Sequence, residues 1–244
     1  MMFGALLIHS LFTTNAEMQE FAEYLESQHG FRVSTPLLPG HGTFPEDLKN
    51  YRYTDWIEAA DEALRALNAQ TQVSFVVGQV TSAPIVLSLA TFHPEVLGIA
   101  TLSGFISLSM KQRIVKHALK LRPKMIPWAS EGTEIRHYTP KVWKRARAYD
   151  KIPKEAIYEL IELINSTRSI LKNVDQPIYV IQSTISKNVD PKNAQLIFNG
   201  VSSTKKKLLS IKRGGSLMSV DEGRHIVFRE VANFFWSCID LYQM

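Results

Sequence analysis

Short apolar runs that alternate with helix-spaced stretches constrain this chain more than any other feature. Phe3 to Ile8, Phe31 to Leu37, Val73 to Val77, Val96 to Ser103, Pro177 to Ile181 and Lys206 to Ile211 read as strands. Between and after them, Ala16 to Gln28, Thr54 to Asn68, Ser82 to Phe92, Pro191 to Phe198 and Glu222 to Tyr242 carry helical spacing, the first stopped by Gly30. Strand and helix in regular alternation predict an α/β fold: a mostly parallel sheet of about six strands, covered by helices on both faces. Residues 104–173 break the pattern, with several helical stretches and no convincing buried strand. They read as a helical lid inserted into a single core formed by 1–103 and 174–244.

At 244 residues, 45% of them hydrophobic and 21% charged, the chain is long enough for one substantial core. It contains no apolar run of about 18 residues that would span a membrane. Met1 to Ile8 has neither the basic head nor the apolar length of a signal peptide, so a cytoplasmic location is expected. The lone cysteine, Cys238, lies among Phe234, Phe235, Trp236 and Ile239 and reads as a packing residue. Charge is distributed unevenly. Between Lys111 and Lys154, thirteen Lys or Arg face three acids, a net +10, while the remainder of the chain, fifteen against twenty, carries −5. Lys111 to Arg122 can form an amphipathic helix, with Ile114, Val115, Ala118 and Leu119 opposite the basic residues, and Lys144-Arg145-Ala146-Arg147 adds charge beside Trp143. Such a lid would cover a pocket with its apolar face. Its basic face is either solvated or meets an anionic surface or a protein partner. No nucleic-acid-binding motif accompanies it.

Several short motifs stand in order along the chain. Leu6-Leu7-Ile8-His9-Ser10 ends the first strand, Leu38-Pro39-Gly40-His41-Gly42 forms a turn after the second, and Thr54-Asp55-Trp56 opens a helix. Gly78-Gln79-Val80-Thr81-Ser82 joins a strand to a helix, and Val189-Asp190-Pro191 precedes a further helix. Together they resemble the α/β-hydrolase superfamily, and within it the bacterial carboxylesterase and monoacylglycerol lipase group. The resemblance implies the strand order 4-3-5-6-7-8 in that family's naming, a helical lid, and hydrolysis of carboxylic esters without a cofactor. It also implies that Gly78 to Ser82 corresponds to the Gly-x-Ser-x-Gly nucleophile elbow.

Carried over position by position, the resemblance puts the nucleophile at Val80, the acid at Ser186 and the general base at Ser216. An isopropyl group has no proton to lose, and a serine neither orients an imidazole nor accepts a proton near neutral pH. The chain therefore reads as a pseudo-hydrolase, a binding or interaction protein with no catalytic residues at the family's triad positions. A former acyl pocket lined by Leu11, Phe12, Val80, Thr81 and Ile106 would take an apolar, acyl-type small molecule. The backbone N–H groups of Leu11 and Thr81 correspond to the oxyanion donors, with Ser10 in place of the usual glycine. Active relatives hold the nucleophile at positive φ, a strained conformation for a β-branched residue. With no chemistry to require that strain, the turn at Val80 is expected to relax to ordinary backbone angles.

The alternative is a working carboxylesterase with a rebuilt triad, for example Ser82 with His225. Against it, Ser82 reads as the cap of the following helix and His225 falls nine residues beyond the base position, inside the last helix. His9 and His41 read as packing or hydrogen-bonding residues. His29, His93, His117 and His137 show no ligand spacing with one another or with carboxylates, and no metal site is implied.

Overall fold

The computed structural model describes residues 2–108, 128–129, 140–149, 151–186 and 188–243. Six parallel strands form one sheet: β1 (Phe3–Ile8), β2 (Arg32–Ser34), β3 (Val73–Gln79) and β4 (Val96–Leu102), then β7 (Ile178–Ser183) and β8 (Lys206–Ile211). Their order is β2-β1-β3-β4-β7-β8. Two further strands, β5 (Trp128–Ala129) and β6 (Ile152–Pro153), pair antiparallel in a small separate sheet. The helices are α1 (Gln19–His29), α2 (Tyr53–Asn68), α3 (Ala83–Phe92), α4 (Pro140–Ala146), α5 (Lys154–Ile170), α6 (Lys192–Gly200) and α7 (Arg224–Gln243).

The strands alternate their side chains between two apolar layers, as the two-residue period of a pleated strand requires. Leu6, Ile8, Val76, Ile99, Ile178 and Val180 face one way and pack with Trp56 and Leu64 of α2, Ile85 and Leu89 of α3 and Leu163 of α5. Ala5, Leu7, Phe75, Val77, Ala100 and Tyr179 face the other, against Phe21 and Leu25 of α1 and Phe228, Val231 and Phe235 of α7. Burial on both faces explains why the central strands read as continuous apolar runs. Cys238 is buried in the second layer, and burial pushes its thiol up to about 11.

Two expectations are corrected. The second strand is three residues, not seven. Phe31 N–H is used by Leu25 C=O at the end of α1, Asn15 Nδ2 takes Thr35 C=O, and Pro36 has no N–H for a ladder. Residues 104–173 do contain strands, β5 and β6, each too short to leave a periodic signal. In the same stretch, α5 packs on α3, with Thr167 Oγ1 bonded to Pro84 C=O at 3.2 Å. The expected amphipathic helix at Lys111 to Arg122 lies outside the described residues. Among the described residues, no helix is long and apolar enough to cross a membrane.

The register aligns the carboxyl ends of the central strands. Ile8 stands beside Gly78, Gln79 beside Leu102 and Leu102 beside Ile181. From β1 the chain moves outward to β2 and then returns to β3 on the other side, so the strand order reverses between β1 and β3. Open α/β sheets bind their ligands in the crevice at such a switch point, and here Leu11 and Val80 flank it.

Candidate functional site

At the end of β3 the chain turns sharply. Val80 has φ 51°, a short 3-10 turn runs Val80–Ser82, and α3 begins at Ala83. The expected relaxation does not occur: a valine occupies the left-handed region. Several contacts impose it. Gly78 brings strand and helix so close that a Cβ there would meet Val86 Cγ2 at 2.7 Å, Ser82 O at 2.8 Å and Ala83 Cα at 3.0 Å. On the far side, Phe105 N–H donates to Val80 C=O at 2.9 Å. Ser82 Oγ accepts Gln79 N–H at 2.9 Å and has Ile8 C=O (2.8 Å) and Gln79 C=O (3.0 Å) as acceptors for its own proton. Ser82 stands at the N-cap of α3, but its hydroxyl makes no cap bond there and instead closes the turn that precedes the helix.

The loop after β1 lies against this elbow. Leu11 N–H donates to Thr81 Oγ1 at 2.8 Å, and Leu11 C=O accepts from His41 Nε2–H at 2.7 Å, so both backbone groups of Leu11 are held. His9 is fixed in one tautomer: its Nδ1–H donates to Ser10 C=O at 2.8 Å and its Nε2 accepts Leu38 N–H at 3.1 Å. Complete burial, followed by the neighbouring His41, pulls the His9 imidazole down to about 3, so it is neutral. Burial also lowers His41 against three carbonyls that raise it, and the two rings meet edge to face with centroids 4.9 Å apart. These histidines position the loop, as expected.

Beneath the loop lies a carboxyl group that sequence reasoning did not single out. Glu17 is fully buried; its Oε1 accepts Ser10 N–H at 2.6 Å and its Oε2 accepts Thr13 Oγ1 at 2.7 Å. Ser10 Oγ reaches Glu17 Oε1 (3.1 Å) and Gln79 C=O (3.2 Å), which gives this side chain a polar seat. Burial pushes the carboxyl up to about 7 despite hydrogen bonds from Thr13, Ser10 and Gln79 that oppose the rise. Gln79 in turn exchanges two bonds with Ser219, Nε2 to Oγ and Oε1 from N–H, both 2.9 Å, and Ser219 Oγ donates to Glu17 C=O at 2.8 Å. One buried polar network therefore joins the β1 loop, the elbow and the loop before α7.

The other two positions implied by resemblance lie close together. Ser186 Oγ accepts the N–H groups of Asn188 (3.3 Å) and Val189 (3.1 Å), and Asn188 Nδ2 reaches Ser216 Oγ at 3.5 Å. Asn188 thus links the two serines, by its backbone N–H on one side and its side-chain amide on the other. His225 is elsewhere, with a side chain 69% exposed and 4.0 Å from Glu20, while Ser82 is fully buried, so the rebuilt pair is not assembled.

Leu11, Phe12, Val80, Thr81 and Ile106 are all buried. Leu11, Phe12, Val80 and Ile106 share one cluster with Val142, Ala146, Tyr149 and Ile152 from α4 and the chain after it. That segment is tied to the β1 loop: Thr14 N–H donates to Ala146 C=O at 3.1 Å and Tyr149 N–H to Phe12 C=O at 3.0 Å. Tyr149 Oη accepts Gly42 N–H at 2.8 Å. Asn193 Oδ1 holds the Ile106 wall by accepting the N–H groups of Ile106 (2.9 Å) and Ser107 (2.7 Å). Of the remaining histidines, His117 and His137 lie outside the described residues. His93 is bonded to Glu95, two residues on, and to Asp61, 32 positions earlier, a contact that sequence spacing does not reveal. Among the described residues, no group of three or more His, Cys, Asp or Glu could hold a metal.

Comparison with known proteins agrees with this fold. The family described as Serine aminopeptidase, S33 matches residues 5–215. A thermostable monoacylglycerol lipase from a Bacillus species is 26% identical over 239 residues, covering 95% of this chain and 90% of the relative. A solved structure from a study of the metagenome-derived lipolytic enzymes LipS and LipT is 26% identical and superposes with a TM-score of 0.83, covering 95% of this chain and 93% of that one. The monoacylglycerol lipase of Paleococcus ferrophilus, 16% identical, superposes with a TM-score of 0.80 over 96% of this chain and 94% of its own.

Proposed function

We propose that this chain, which belongs to the Serine aminopeptidase, S33 family of hydrolases, keeps the lipase- and esterase-like α/β-hydrolase body without its ester chemistry. In this reading it is a pseudo-hydrolase that binds an apolar, acyl-type ligand. One observation carries the proposal: the apex of a tightly held elbow, where the family's nucleophile belongs, presents the isopropyl group of Val80. The two serines at the acid and base positions support it. Ser186 is engaged by backbone N–H groups, and neither it nor Ser216 can draw a proton from a hydroxyl. With no nucleophile, acid or base at these positions, and with Leu11 N–H already bonded to Thr81 Oγ1, little beyond binding is left to accelerate hydrolysis.

Val80 also suits an apolar ligand better than serine would, because it leaves no hydroxyl unsatisfied in a dry pocket. Leu11, Phe12, Thr81 and Ile106 are the other proposed lining residues. Residues 104–173 act as the lid in this reading. Its net positive charge, to which the exposed Lys141, Lys144 and Arg147 contribute, would serve an anionic surface or a protein partner.

The test is turnover of short and medium p-nitrophenyl esters by the wild type beside a Val80→Ser, Ser186→Asp, Ser216→His triple variant. The wild type is expected at the buffer rate, with hydrolysis emerging in the variant. Wild-type turnover well above the blank would refute the proposal.

A further inference from the structure

We infer that Thr81 is a built-in occupant of the oxyanion site, so that the pocket recognises a neutral apolar chain and turns away carboxylate and carbonyl oxygens at its Val80 end. The inference rests on the non-catalytic reading for the use of the pocket and narrows its ligand class. In an acyl-transfer site the donor after β1 must be free to meet an incoming oxygen at hydrogen-bonding distance. Here Leu11 N–H is already bonded, 2.8 Å from Thr81 Oγ1. The bond is shielded, since Leu11 is fully buried and Thr81 nearly so. Leu11 cannot readily swing away, because His41 Nε2–H holds its carbonyl at 2.7 Å and Glu17 holds the preceding Ser10 N–H at 2.6 Å.

An incoming oxygen would therefore have to displace a hydroxyl rather than a water. The displaced Thr81 hydroxyl would then lose its Leu11 N–H partner in a nearly fully buried position. A buried hydrogen bond lost in this way is worth about tenfold or more in affinity. An alkyl chain that ends against the Val80 isopropyl group pays no such penalty.

The experiment uses the full chain labelled with ¹⁵N and titrated with sodium sebacate, an alkyl chain with a carboxylate at each end that brings one to Val80 in either orientation, following the Leu11 amide resonance. The wild type and Thr81→Ser, which both keep the hydroxyl, are expected to bind weakly with the Leu11 amide unmoved. Thr81→Ala is expected to bind about tenfold more tightly, with that amide shifting on binding. A wild type that matches Thr81→Ala in affinity and amide shift overturns the inference, as does a Thr81→Ala protein that gains nothing. Thr81→Val fills the same space without an acceptor and gives a ligand-free check: its Leu11 amide should exchange at least tenfold faster than in Thr81→Ser, and equal rates count against the assignment. Ester turnover by the wild type would remove the non-catalytic reading without affecting these readouts. An equal sebacate response would remove the Thr81 assignment and leave the missing nucleophile as it is.

Discussion

The valine at φ 51° makes an unusual prediction about stability, because alanine and glycine should exchange their ordinary ranking there. At a regular position glycine is less stable than alanine by about 0.5–1 kcal/mol, since its unfolded chain has more freedom to lose. In the left-handed region a Cβ costs about 1–2 kcal/mol, which glycine avoids. The balance favours Val80→Gly over Val80→Ala by about 0.5–1 kcal/mol. Both variants lose the nearly buried isopropyl group. Removing two methyl groups from a core costs about 2 kcal/mol in burial and cavity. For Val80→Ala, about 1 kcal/mol of this should return as the β-branched side chain leaves a backbone region that suits it poorly. That variant should therefore lose only about 1 kcal/mol. Equilibrium urea unfolding of the three proteins measures these differences through the transition midpoint, provided that the slope is shared. An alanine variant more stable than the glycine variant would refute the claim that position 80 is held left-handed.

The two remaining predictions concern groups that hold the elbow. Glu17 titrates near 4.5 when unfolded and is raised to about 7 in the fold, so the folded chain holds more protons between those values and its stability falls as pH rises through that window. Glu17→Gln mimics the protonated form, with Thr13 turning its hydroxyl to Ser10 C=O at 3.0 Å, and should gain about 2–3 kcal/mol on the wild type between pH 5 and pH 8. A pH-independent difference in urea midpoints would contradict this. Gly78→Ala forces a Cβ onto backbone atoms of Ser82 and Ala83 and should cost about 2 kcal/mol or more, and a wild-type midpoint would show that helix and strand are not in contact there.

Much of the fold is legible because burial on both sheet faces leaves a coarse mark on the sequence. Val73 to Val77, Val96 to Ser103 and Lys206 to Ile211 can be read as strands within two residues of their observed ends. The edge strand β2 is harder to place because its limits depend on bonds made elsewhere by Phe31 and Thr35. The site divides along the same line. That Val80 stands between a strand and a helix follows from local pattern, whereas the fate of hydroxyls and carboxyls does not. Glu17 looks like an ordinary charge at a helix start. Only the fold reveals that Ser10, Thr13 and Gln79 surround it, and only the three-dimensional approach of two loops shows that Thr81 offers its oxygen to Leu11 across 70 positions. Ser219, 140 residues from Gln79, leaves no sequence signal of its own.

The mistaken expectation at Val80 has a physical lesson. It treated positive φ as a cost borne for the nucleophile alone, to be shed once the hydroxyl is gone. The structure assigns the conformation to the neighbours instead. Gly78 sets the separation of β3 and α3, Ser82 ties the turn to β1, and Phe105 N–H takes the Val80 carbonyl. A relaxed turn would have to break the Phe105 bond or move α3 out of the close contact that Gly78 permits. Each buried hydrogen bond left unmade costs about 1–3 kcal/mol, comparable with the strain that relaxation would release. The elbow therefore persists as a packing solution of the fold, and the residue at its apex is free to change its chemistry while the backbone beneath it stays in place.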